Sequence, residues 1–461
     1  MMHAPNAPVT KHSLTAIAAE LASQIARQSL PGSSQIHIVP STGNTQLFVS
    51  NGSRLHKISE AVEQRLLQLI TQQDEAAINI ELIALGLDTT PLIDDVPLKS
   101  PGIYALSLAI AQKCNMGCTY CYADQGDFGG PAKNMQIDTA KKSIDLLLKD
   151  CTPGSKVQVT FLGGEPLINR KALREATVYA AAAGAQNNVQ VNFSITTNGT
   201  LLKTDDAAFF EEHGFAVTIS LDGIGAQHDK QRPLKNGAGT YEQIIEKIQP
   251  LLAAQRRMQV SARVTVTPTH INLGETLLEF IDMGFHSVGF SPLLRSANGR
   301  DEMTKQDLEG MLQGMITCGL MFEQHVVQGK RFPFLNMVNA LKEIAKGTHR
   351  PYPCGAGAGY MGVSADGDMF ACHRFVNEAA GSMGNIYEGV DATLQNNWLQ
   401  SRHVHNQLPC NSCWAKYLCG GGCHHEVLEK GRHACDYIRG WLHYTMQAHE
   451  RMTRLAPDWY R

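Results

Sequence analysis

A repeated alternation of strand and helix patterns between residues 104 and 290 limits what this chain can fold into. Six apolar runs are typical of buried strands, and helical periodicity fills the gaps between them. Such alternation builds a parallel sheet covered by helices, and six units predict a partial, open barrel instead of a closed eight-stranded one. The predicted strands are Tyr104–Ile110, Val157–Leu162, Val189–Thr196, Ala216–Leu221, Val260–Thr265 and Ser287–Phe290. The predicted helices are Ile137–Lys149, Lys171–Ala183, Asp205–Gly214, Tyr241–Leu252 and Leu273–Met283.

The first hundred residues follow a different order: an amphipathic helical pattern within residues 1–30 comes first, three strands follow, and two helices come last. Three strand-like runs precede two helical patterns, and this order predicts a small winged-helix-like unit. The proline-rich segment 88–101 predicts a linker. The pattern alone leaves open whether the unit is a structural addition or a binding module. The strands are Gln35–Val39, Gln46–Val49 and Arg54–Ile58, and the helices are Glu60–Ile70 and Glu75–Leu85.

The 12 cysteines are placed unevenly, with three between residues 114 and 121 and five between residues 410 and 435. No apolar run approaches the roughly 18–20 residues of a membrane span, and the N-terminus lacks a secretory pattern. We therefore expect a cytoplasmic protein, in which clustered thiols indicate metal binding and not disulfides. The net charge of −3 argues against dedicated binding to nucleic acid or to an anionic membrane.

The loop after the first predicted strand contains Cys114, Cys118 and Cys121 in the spacing C-x3-C-x2-C. Zinc sites usually show C-x2-C pairs and four protein ligands. Three thiolates in one short loop suit a [4Fe–4S] cluster that keeps its fourth iron open. An open iron can bind a small chelating ligand.

Further polar residues follow the other predicted strands, where ligand-binding loops of parallel sheets lie. Gly163, Gly164, Glu165 and Pro166 follow the second strand, and the two glycines offer bare backbone to a ligand. An arginine within the fifth strand must point into a polar interior or be paired. The remaining candidates are Asn198, Ser220, Arg232 and Arg263.

The C-terminal third carries a second set of cysteines. Cys354 and Cys372 flank a predicted hairpin, and a run with the spacing C-x2-C-x5-C-x3-C precedes a last cysteine. Four closely spaced cysteines could also form a structural zinc site, so zinc is the alternative to iron. Cys318 lies in a helical pattern and is interpreted as a core residue. The run and the last cysteine comprise Cys410, Cys413, Cys419, Cys423 and Cys435.

The cysteine loop, with the aromatic Tyr120, and the Gly163–Pro166 loop on a six-unit barrel resemble the radical S-adenosylmethionine (SAM) superfamily over about residues 104–295. The resemblance implies that the open iron binds the methionine moiety of SAM and that Tyr120 lies against the adenine. Gly163–Pro166 would hold the amino group. Reductive cleavage of SAM would give a 5′-deoxyadenosyl radical that abstracts a hydrogen atom. Ribose and carboxylate contacts would come from Asn198, Ser220, Arg232 and Arg263.

Residues 350–440 resemble the SPASM domain, the auxiliary-cluster module of radical enzymes that modify peptides. This resemblance implies two auxiliary [4Fe–4S] clusters, with Cys354, Cys372 and Cys423 on one of them. Members with full ligation supply a further cysteine upstream, and this chain has none between Cys318 and Cys354. We therefore expect an open iron there for a substrate thiolate or a non-cysteine ligand. The other cluster would have Cys410, Cys413, Cys419 and Cys435.

The expected organisation is an α/β chain with three domains: 1–100 winged-helix-like, 101–330 radical SAM partial (β/α)6 barrel, and 331–461 helical bridge and SPASM domain. The first unit is similar to leader-recognition elements, in which a leader peptide adds a strand to the sheet. These resemblances imply a precursor peptide as substrate and a flavodoxin or ferredoxin as electron donor.

The loop continuing from Tyr122 to Gly130 resembles that of thioether-forming maturases, including the six-cysteine-peptide and quinohemoprotein amine dehydrogenase maturases. In anaerobic sulfatase-maturating enzymes an aspartate follows the cysteine that corresponds to Cys372 and serves as base. Here His373 occupies that position, which disfavours formylglycine synthesis. Thioether or other side-chain cross-linking is the leading prediction. Formylglycine synthesis and a non-catalytic iron–sulfur or zinc protein are the alternatives, and the sequence identifies no general base.

Overall fold

Two β-sheets organise the chain in the computed structural model, which describes residues 11–41, 45–87, 90–94, 96–99, 101–270 and 272–459. The strands are β1 Ile36–Val39, β2 Gln46–Val49, β3 Arg54–Lys57, β4 Ala105–Gln112, β5 Lys133–Asn134, β6 Lys156–Gly163, β7 Gln190–Thr197, β8 Ala216–Ser220, β9 Gln259–Val266, β10 Ser287–Pro292, β11 Tyr360–Val363, β12 Asp368–Phe370, β13 Ser382–Asn385 and β14 Gly389–Val390. The helices are α1 Lys11–Gln28, α2 Glu60–Thr71, α3 Glu75–Ala84, α4 Ile137–Leu148, α5 Arg170–Gln186, α6 Thr204–Glu212, α7 Ala226–Gln231, α8 Tyr241–Ala254, α9 Leu273–Asp282, α10 Lys305–Val327, α11 Leu335–Lys346, α12 Ala392–Arg402, α13 Lys416–Cys419, α14 His424–Lys430 and α15 Cys435–Leu455.

The small N-terminal sheet is antiparallel in the order β1-β2-β3. Because side chains alternate along a strand, each of the two faces carries its own apolar set. One face packs against α2 and α3 through Ile36, Leu47 and Val49. The opposite face, with Val39 and Phe48, packs against the C-terminal part of the chain. The sheet is therefore enclosed on both faces. The predicted linker over 88–101 is described only in part.

The large sheet contains six parallel strands in the order β10-β9-β8-β7-β6-β4, and this confirms the predicted α/β architecture with a parallel sheet. Along β9, the residues Val260, Ala262 and Val264 are buried in the core beneath the helices. Ser261 and Arg263 alternate with them and point to the concave side of the curved sheet. The interior is therefore a polar chamber at the level of β9.

The C-terminal region extends the same sheet, which the sequence did not predict. Strand β11 pairs in parallel with β4 in the register Tyr360↔Ala105, and β12, β13 and β14 continue antiparallel. The hairpin of β11 and β12 had been predicted, but its partner strand lies more than 240 residues earlier. This pairing brings the hairpin, which leads directly into Cys372, beside β4. Among the described helices, none has the length and hydropathy of a membrane span.

Asp206 provides a test of how the barrel helices are held together. Its carboxylate is 1% exposed and accepts hydrogen bonds from Arg170 Nε at 3.0 Å and Arg174 Nη2 at 2.8 Å. We expect Asp206→Ala to lower the free energy of unfolding by about 3 kcal/mol, because it leaves two cations without their buried partner. Asp205→Ala is the control, since Asp205 contacts Arg174 from the surface and should matter by less than about 1 kcal/mol. Chemical denaturation followed by circular dichroism measures both variants, and equal losses would contradict the assignment.

Candidate functional site

The cysteine loop follows directly from β4 and brings its three thiols together. The pKa of Cys114 is raised to about 11, chiefly by burial and also by the nearby Glu165 and Cys118. A hydrogen bond from the backbone of Met116 and the charge of Arg232 act in the opposite direction. Burial also raises the pKa of Cys118 and of Cys121, which lie within electrostatic reach of one another. Three thiols gathered in a half-buried loop are a suitable donor set for an iron–sulfur cluster, which binds them as thiolates.

The Gly163–Pro166 loop contacts the cysteine loop backbone to backbone. Gly164 N donates to Ala111 O at 2.8 Å, and Glu165 N donates to Lys113 O at 2.9 Å. A Cβ at Gly163, where φ is +141°, would lie 2.2 Å from Ala111 O, and one at Gly164 would lie 2.3 Å from Lys113 O. No other residue type fits at these two positions without a backbone shift. The spacing of the two loops is therefore set by backbone contact.

The carboxylate of Glu165 is buried and already holds three donors. It accepts from Leu167 N at 3.0 Å, Thr197 Oγ1 at 2.8 Å and Asn198 N at 2.8 Å. Burial raises the pKa of Glu165, while these donors oppose the shift. Asn198 in turn donates from Nδ2 to Cys114 Sγ at 3.7 Å. Glu165 thus connects the ends of β6 and β7 and positions Asn198 against the cysteine loop.

Tyr120, Asp222 and Arg232 form a buried network on the other side of the cysteine loop. The Tyr120 hydroxyl donates to Asp222, and Arg232 Nη1 donates to the Tyr120 hydroxyl at 2.7 Å. Asp222 also accepts from Thr265 N at 2.6 Å. Sequence reasoning did not select Asp222, because Asp222-Gly223 reads as ordinary turn chemistry at a strand end. Ser220 lies half-buried at the end of β8.

Arg232 keeps one donor unused in this network. Its side chain is buried, and its Nε has no hydrogen-bond partner among the described residues. Its pKa is raised because the neighbouring Cys118 and Asp222 outweigh the opposing effect of burial. A buried cationic donor without a partner is costly, so it fits a site that receives an anionic ligand group. The carboxylate of SAM is such a group.

Arg263 lies apart from the cysteine loop. Its side chain is exposed to water in the chamber. The surrounding protein atoms nevertheless lower its pKa by desolvation, and the nearby positive charge of Arg374 lowers it further. Within the described residues no carboxylate comes within 4.0 Å of its guanidinium. Glu426 lies close enough to influence Arg263 and makes its own ion pair with Arg374 at 2.8 Å. The structure therefore brings Asn198 and Arg232 to the cysteine loop and places Arg263 toward the C-terminal region.

The C-terminal cysteines fall into two groups. The pKa of Cys372 is raised to about 12, chiefly by burial and also by the nearby Cys423 and Cys354. In the other group, burial raises the pKa of Cys410 to about 12, and its thiol neighbours are Cys419, Cys435 and Cys413. Cluster ligation by either group stays a prediction.

A cavity of about 80 Å³ lies at the second group. All four thiols line it together with Cys423 of the first group, and Arg432 and Arg439 add positive charge at its wall. Sulfur donors with neighbouring cations suit an anionic iron–sulfur cluster. Over the described parts of the chain, no group of three or more His, Cys, Asp or Glu side chains is placed so that it could hold a single metal ion. Metal analysis decides between iron and zinc.

His373 lies between two tyrosines at the first group. Its Nδ1 is 2.8 Å from the hydroxyl of Tyr360, and its ring meets the ring of Tyr122 edge-on at 5.9 Å. Burial lowers the pKa of His373 to about 3, and the neighbouring Arg374 and His425 add to the effect. His373 is therefore neutral near pH 7. Tyr122 also lies within electrostatic reach of both Cys121 and Cys372, so it stands between the cysteine loop and the first C-terminal group.

Comparison with known proteins gives a consistent result. Residues 108–283 match the family model of the Radical SAM superfamily. The serine-type anaerobic sulfatase-maturating enzyme of Klebsiella aerogenes is 24% identical over 354 residues, which cover 75% of this chain and 85% of the relative. The cysteine-type enzyme of Clostridium novyi is 26% identical over 333 residues, which cover 68% of this chain and 85% of the relative.

One solved protein shows the same fold in two of its structures. Native anSMEcpe with bound AdoMet has a TM-score of 0.64 at 18% identity, covering 77% of this chain and 99% of that one. Native anSMEcpe with bound AdoMet and Cp18Cys peptide has a TM-score of 0.63 at the same identity and coverage. The shared fold includes the C-terminal region.

Gly163 tests whether close backbone contact builds the site. We expect Gly163→Ala to lower the free energy of unfolding by about 3 kcal/mol and to impair iron incorporation, because the added Cβ meets a carbonyl oxygen that cannot move away. Gly154→Ala is a matched control: its φ is +87°, but nothing lies within 4 Å of the added Cβ, so only about 1–2 kcal/mol of backbone strain applies. Thermal denaturation and iron content after anaerobic reconstitution measure both. Identical behaviour of the two variants would contradict the packing argument.

Proposed function

This chain is a radical SAM enzyme related to the anaerobic sulfatase-maturating enzymes, and we propose that it modifies a ribosomally made peptide or protein. The observation that supports the proposal best is the cysteine loop held against the Gly163–Pro166 loop, beside the unused donor of Arg232. These three elements provide thiolates, bare backbone and a cation within one site.

Cys114, Cys118 and Cys121 would hold a [4Fe–4S] cluster that binds SAM at its open iron. When bound, this pair supplies one-electron cleavage of SAM and a 5′-deoxyadenosyl radical that abstracts a hydrogen atom from the substrate. The protein's part is positioning: Glu165 fixes Asn198 against Cys114 Sγ, and Arg232 Nε offers a donor for the SAM carboxylate. Tyr120, Ser220 and Arg263 remain proposed contacts of SAM.

Two auxiliary clusters are proposed in the C-terminal region. The group Cys354, Cys372 and Cys423 supplies three thiolates and would leave one iron open to a substrate thiolate or a non-cysteine ligand. The second group would ligate its cluster fully, through Cys410, Cys413, Cys419 and Cys435. A flavodoxin or ferredoxin is the proposed electron donor.

The bond formed is proposed to be a thioether or another side-chain cross-link. An open auxiliary iron would hold the substrate thiolate after loss of its proton, and a nearby carbon would give a hydrogen atom to the 5′-deoxyadenosyl radical. As the C–S bond forms, the remaining electron would leave through the auxiliary clusters. Formylglycine synthesis is the second candidate, because the relatives with that role align with most of this chain. His373 weighs against it, since a neutral imidazole bonded to Tyr360 stands where a carboxylate is expected.

The cysteine loop provides the first test of the proposed function. Joint replacement Cys114→Ala, Cys118→Ala and Cys121→Ala should abolish dithionite-dependent release of 5′-deoxyadenosine and lower the iron content from roughly twelve to roughly eight atoms per chain. Cys151→Ala is the control and should change neither value, because Cys151 lies outside all three groups and bonds to Leu147 O. Unchanged nucleoside release in the triple variant, or a colourless protein with stoichiometric zinc, would refute the proposal.

The product is tested by co-expressing the enzyme with a short reading frame found beside its gene. A cross-link predicts a peptide that is two hydrogen atoms lighter and carries no aldehyde. Formylglycine made from serine has the same mass loss but reacts with a hydrazide reagent, so mass spectrometry after hydrazide treatment distinguishes the two outcomes. An unmodified peptide would contradict cross-linking of that substrate.

We propose that the N-terminal unit recognises the leader of the peptide. Strand β3 is the outer strand of the small sheet, and its Arg54 and Lys57 are exposed. A leader strand could pair with this edge by main-chain hydrogen bonds. Ile80 and Ile83 on α3 are 67% and 59% exposed, so the unit also offers apolar surface. A basic edge with apolar neighbours suits an acidic, partly apolar leader.

Lys57 provides a test of strand addition. Because Ile58 N donates to Thr45 O, the alternation of antiparallel bonds points the amide of Lys57 away from β2. Lys57→Pro should weaken binding of the co-encoded leader by about tenfold, because it removes an outward amide and leaves the ladder to β2 intact. Lys57→Ala retains the amide and serves as the control. Fluorescence anisotropy with the labelled leader measures both, and equal affinity of the two variants would argue against strand addition at β3.

A further inference from the structure

The loop that carries Cys413 and Cys419 is also the surface on which the N-terminal sheet docks. Trp414 is fully buried and stacks on the ring of His37 from β1, with ring centroids 3.9 Å apart and an interplanar angle of 4°. Phe48 of β2 meets the same indole edge-on at 5.9 Å. A stacked aromatic contact of this kind joins two parts of the chain that are more than 360 residues apart.

Polar contacts reinforce this stacking on both sides. Trp414 Nε1 donates to Ser29 O at 3.1 Å, and Ser50 Oγ donates to the carbonyl oxygen of Trp414 at 2.8 Å. Lys416 Nζ donates to Ser34 O at 2.9 Å. The docking residues of the loop thus lie within three positions of Cys413.

A second anchor lies on α15, whose first residue is Cys435. His37 Nε2 is 2.8 Å from His443 Nδ1, and both rings are buried. Burial lowers the pKa of both histidines, so this contact is a hydrogen bond between neutral rings. His443 follows Cys435 by eight residues, or about 12 Å along the helix. The loop that carries Cys413 and Cys419 and the helix that begins at Cys435 therefore both contact His37, the first through Trp414 and the second through His443.

The loop has little structure of its own apart from these contacts. Helix α13 contains only four residues, Lys416–Cys419, and a helix this short is not stable in isolation. Two influences can therefore order the segment: ligation of Cys413 and Cys419 within the cavity, and docking of the N-terminal sheet on Trp414 and Leu418. Because either influence alone restricts the conformations of this segment, the other then costs less conformational entropy.

We propose that filling of the Cys410, Cys413, Cys419 and Cys435 site and docking of the N-terminal unit are thermodynamically coupled. The N-terminal unit is then held more firmly in chains whose second auxiliary site is loaded, and docking in turn strengthens retention of the group in that site. The coupling rests on the proposed function in one respect, that this site holds an iron–sulfur cluster.

Hydrogen exchange measured by mass spectrometry on the full chain tests the coupling. In the double variant Cys413→Ser, Cys419→Ser we expect amides of β1 and β2 to exchange about tenfold faster than in the reconstituted parent, while β6–β8 stay unchanged. The matched control is Cys354→Ser, Cys372→Ser, which empties the other group and should leave β1 and β2 protected. Unchanged protection in the first variant, or equal loss in both, would overturn the coupling.

Iron content measured on the same samples separates the two levels of failure. If neither double variant loses iron, the cluster assignment itself fails. If the first variant loses about four irons and β1 and β2 stay protected, the assignment holds and only the coupling fails.

The reciprocal experiment leaves every cysteine in place. We expect His37→Ala to release one cluster's worth of iron to a chelator about tenfold faster than the parent, because it removes the ring that stacks on Trp414. Leu67→Ala changes an exposed residue on α2 of the same unit and should leave the release rate unchanged. Equal release from the two variants would overturn the proposal even if the cysteine variants proved unstable.

Discussion

Close backbone contact between the cysteine loop and the Gly163–Pro166 loop is the constraint on which the rest of the site depends. Where Gly163 and Gly164 pass Ala111 and Lys113, there is no space for a side chain. The ends of β4 and β6 are thereby held at one separation. From this fixed point Glu165 reaches the end of β7, and through Asn198 it returns to the first cysteine. The thiols therefore stand on rigid strand ends, as a site that must orient a reactive ligand requires.

The chamber next to this site is polar because alternate residues of β9 point inward, and it is closed by the C-terminal region. Pairing of β11 with β4 makes the barrel and the C-terminal hairpin one continuous sheet. Tyr122, which follows the last cysteine of the loop, consequently lies within reach of Cys372. Arg374 is paired with Glu426 at 2.8 Å, whereas Arg263 has no carboxylate within 4.0 Å among the described residues. A substrate entering the chamber would therefore meet a water-accessible cation on β9.

Sequence reasoning succeeded where the signal is local and failed where it depends on a distant partner. The ends of the six strands were predicted to within two residues, because buried strands have a period and a length that can be read from a few residues. The pairing of β11 with β4 leaves no such local trace. Asp222 was missed because an aspartate before glycine is typical of turns, and its role depends on Tyr120 and Arg232. Trp414 was missed because a single aromatic residue does not identify its stacking partner.

The residue after Cys372 bears on which chemistry the chamber can perform. Arg374 and Glu426 form an ion pair whose charges cancel, and a neutral side chain at position 373 adds no charge beside it. His373 is neutral near pH 7, and its Nδ1 is engaged with Tyr360. Because Nδ1 is held by the Tyr360 hydroxyl, this nitrogen is not available to accept a proton from a substrate. A reaction that draws a proton to Nδ1 of residue 373 is therefore disfavoured. This favours an outcome in which a substrate sulfur forms the new bond over one that needs a carboxylate at this position.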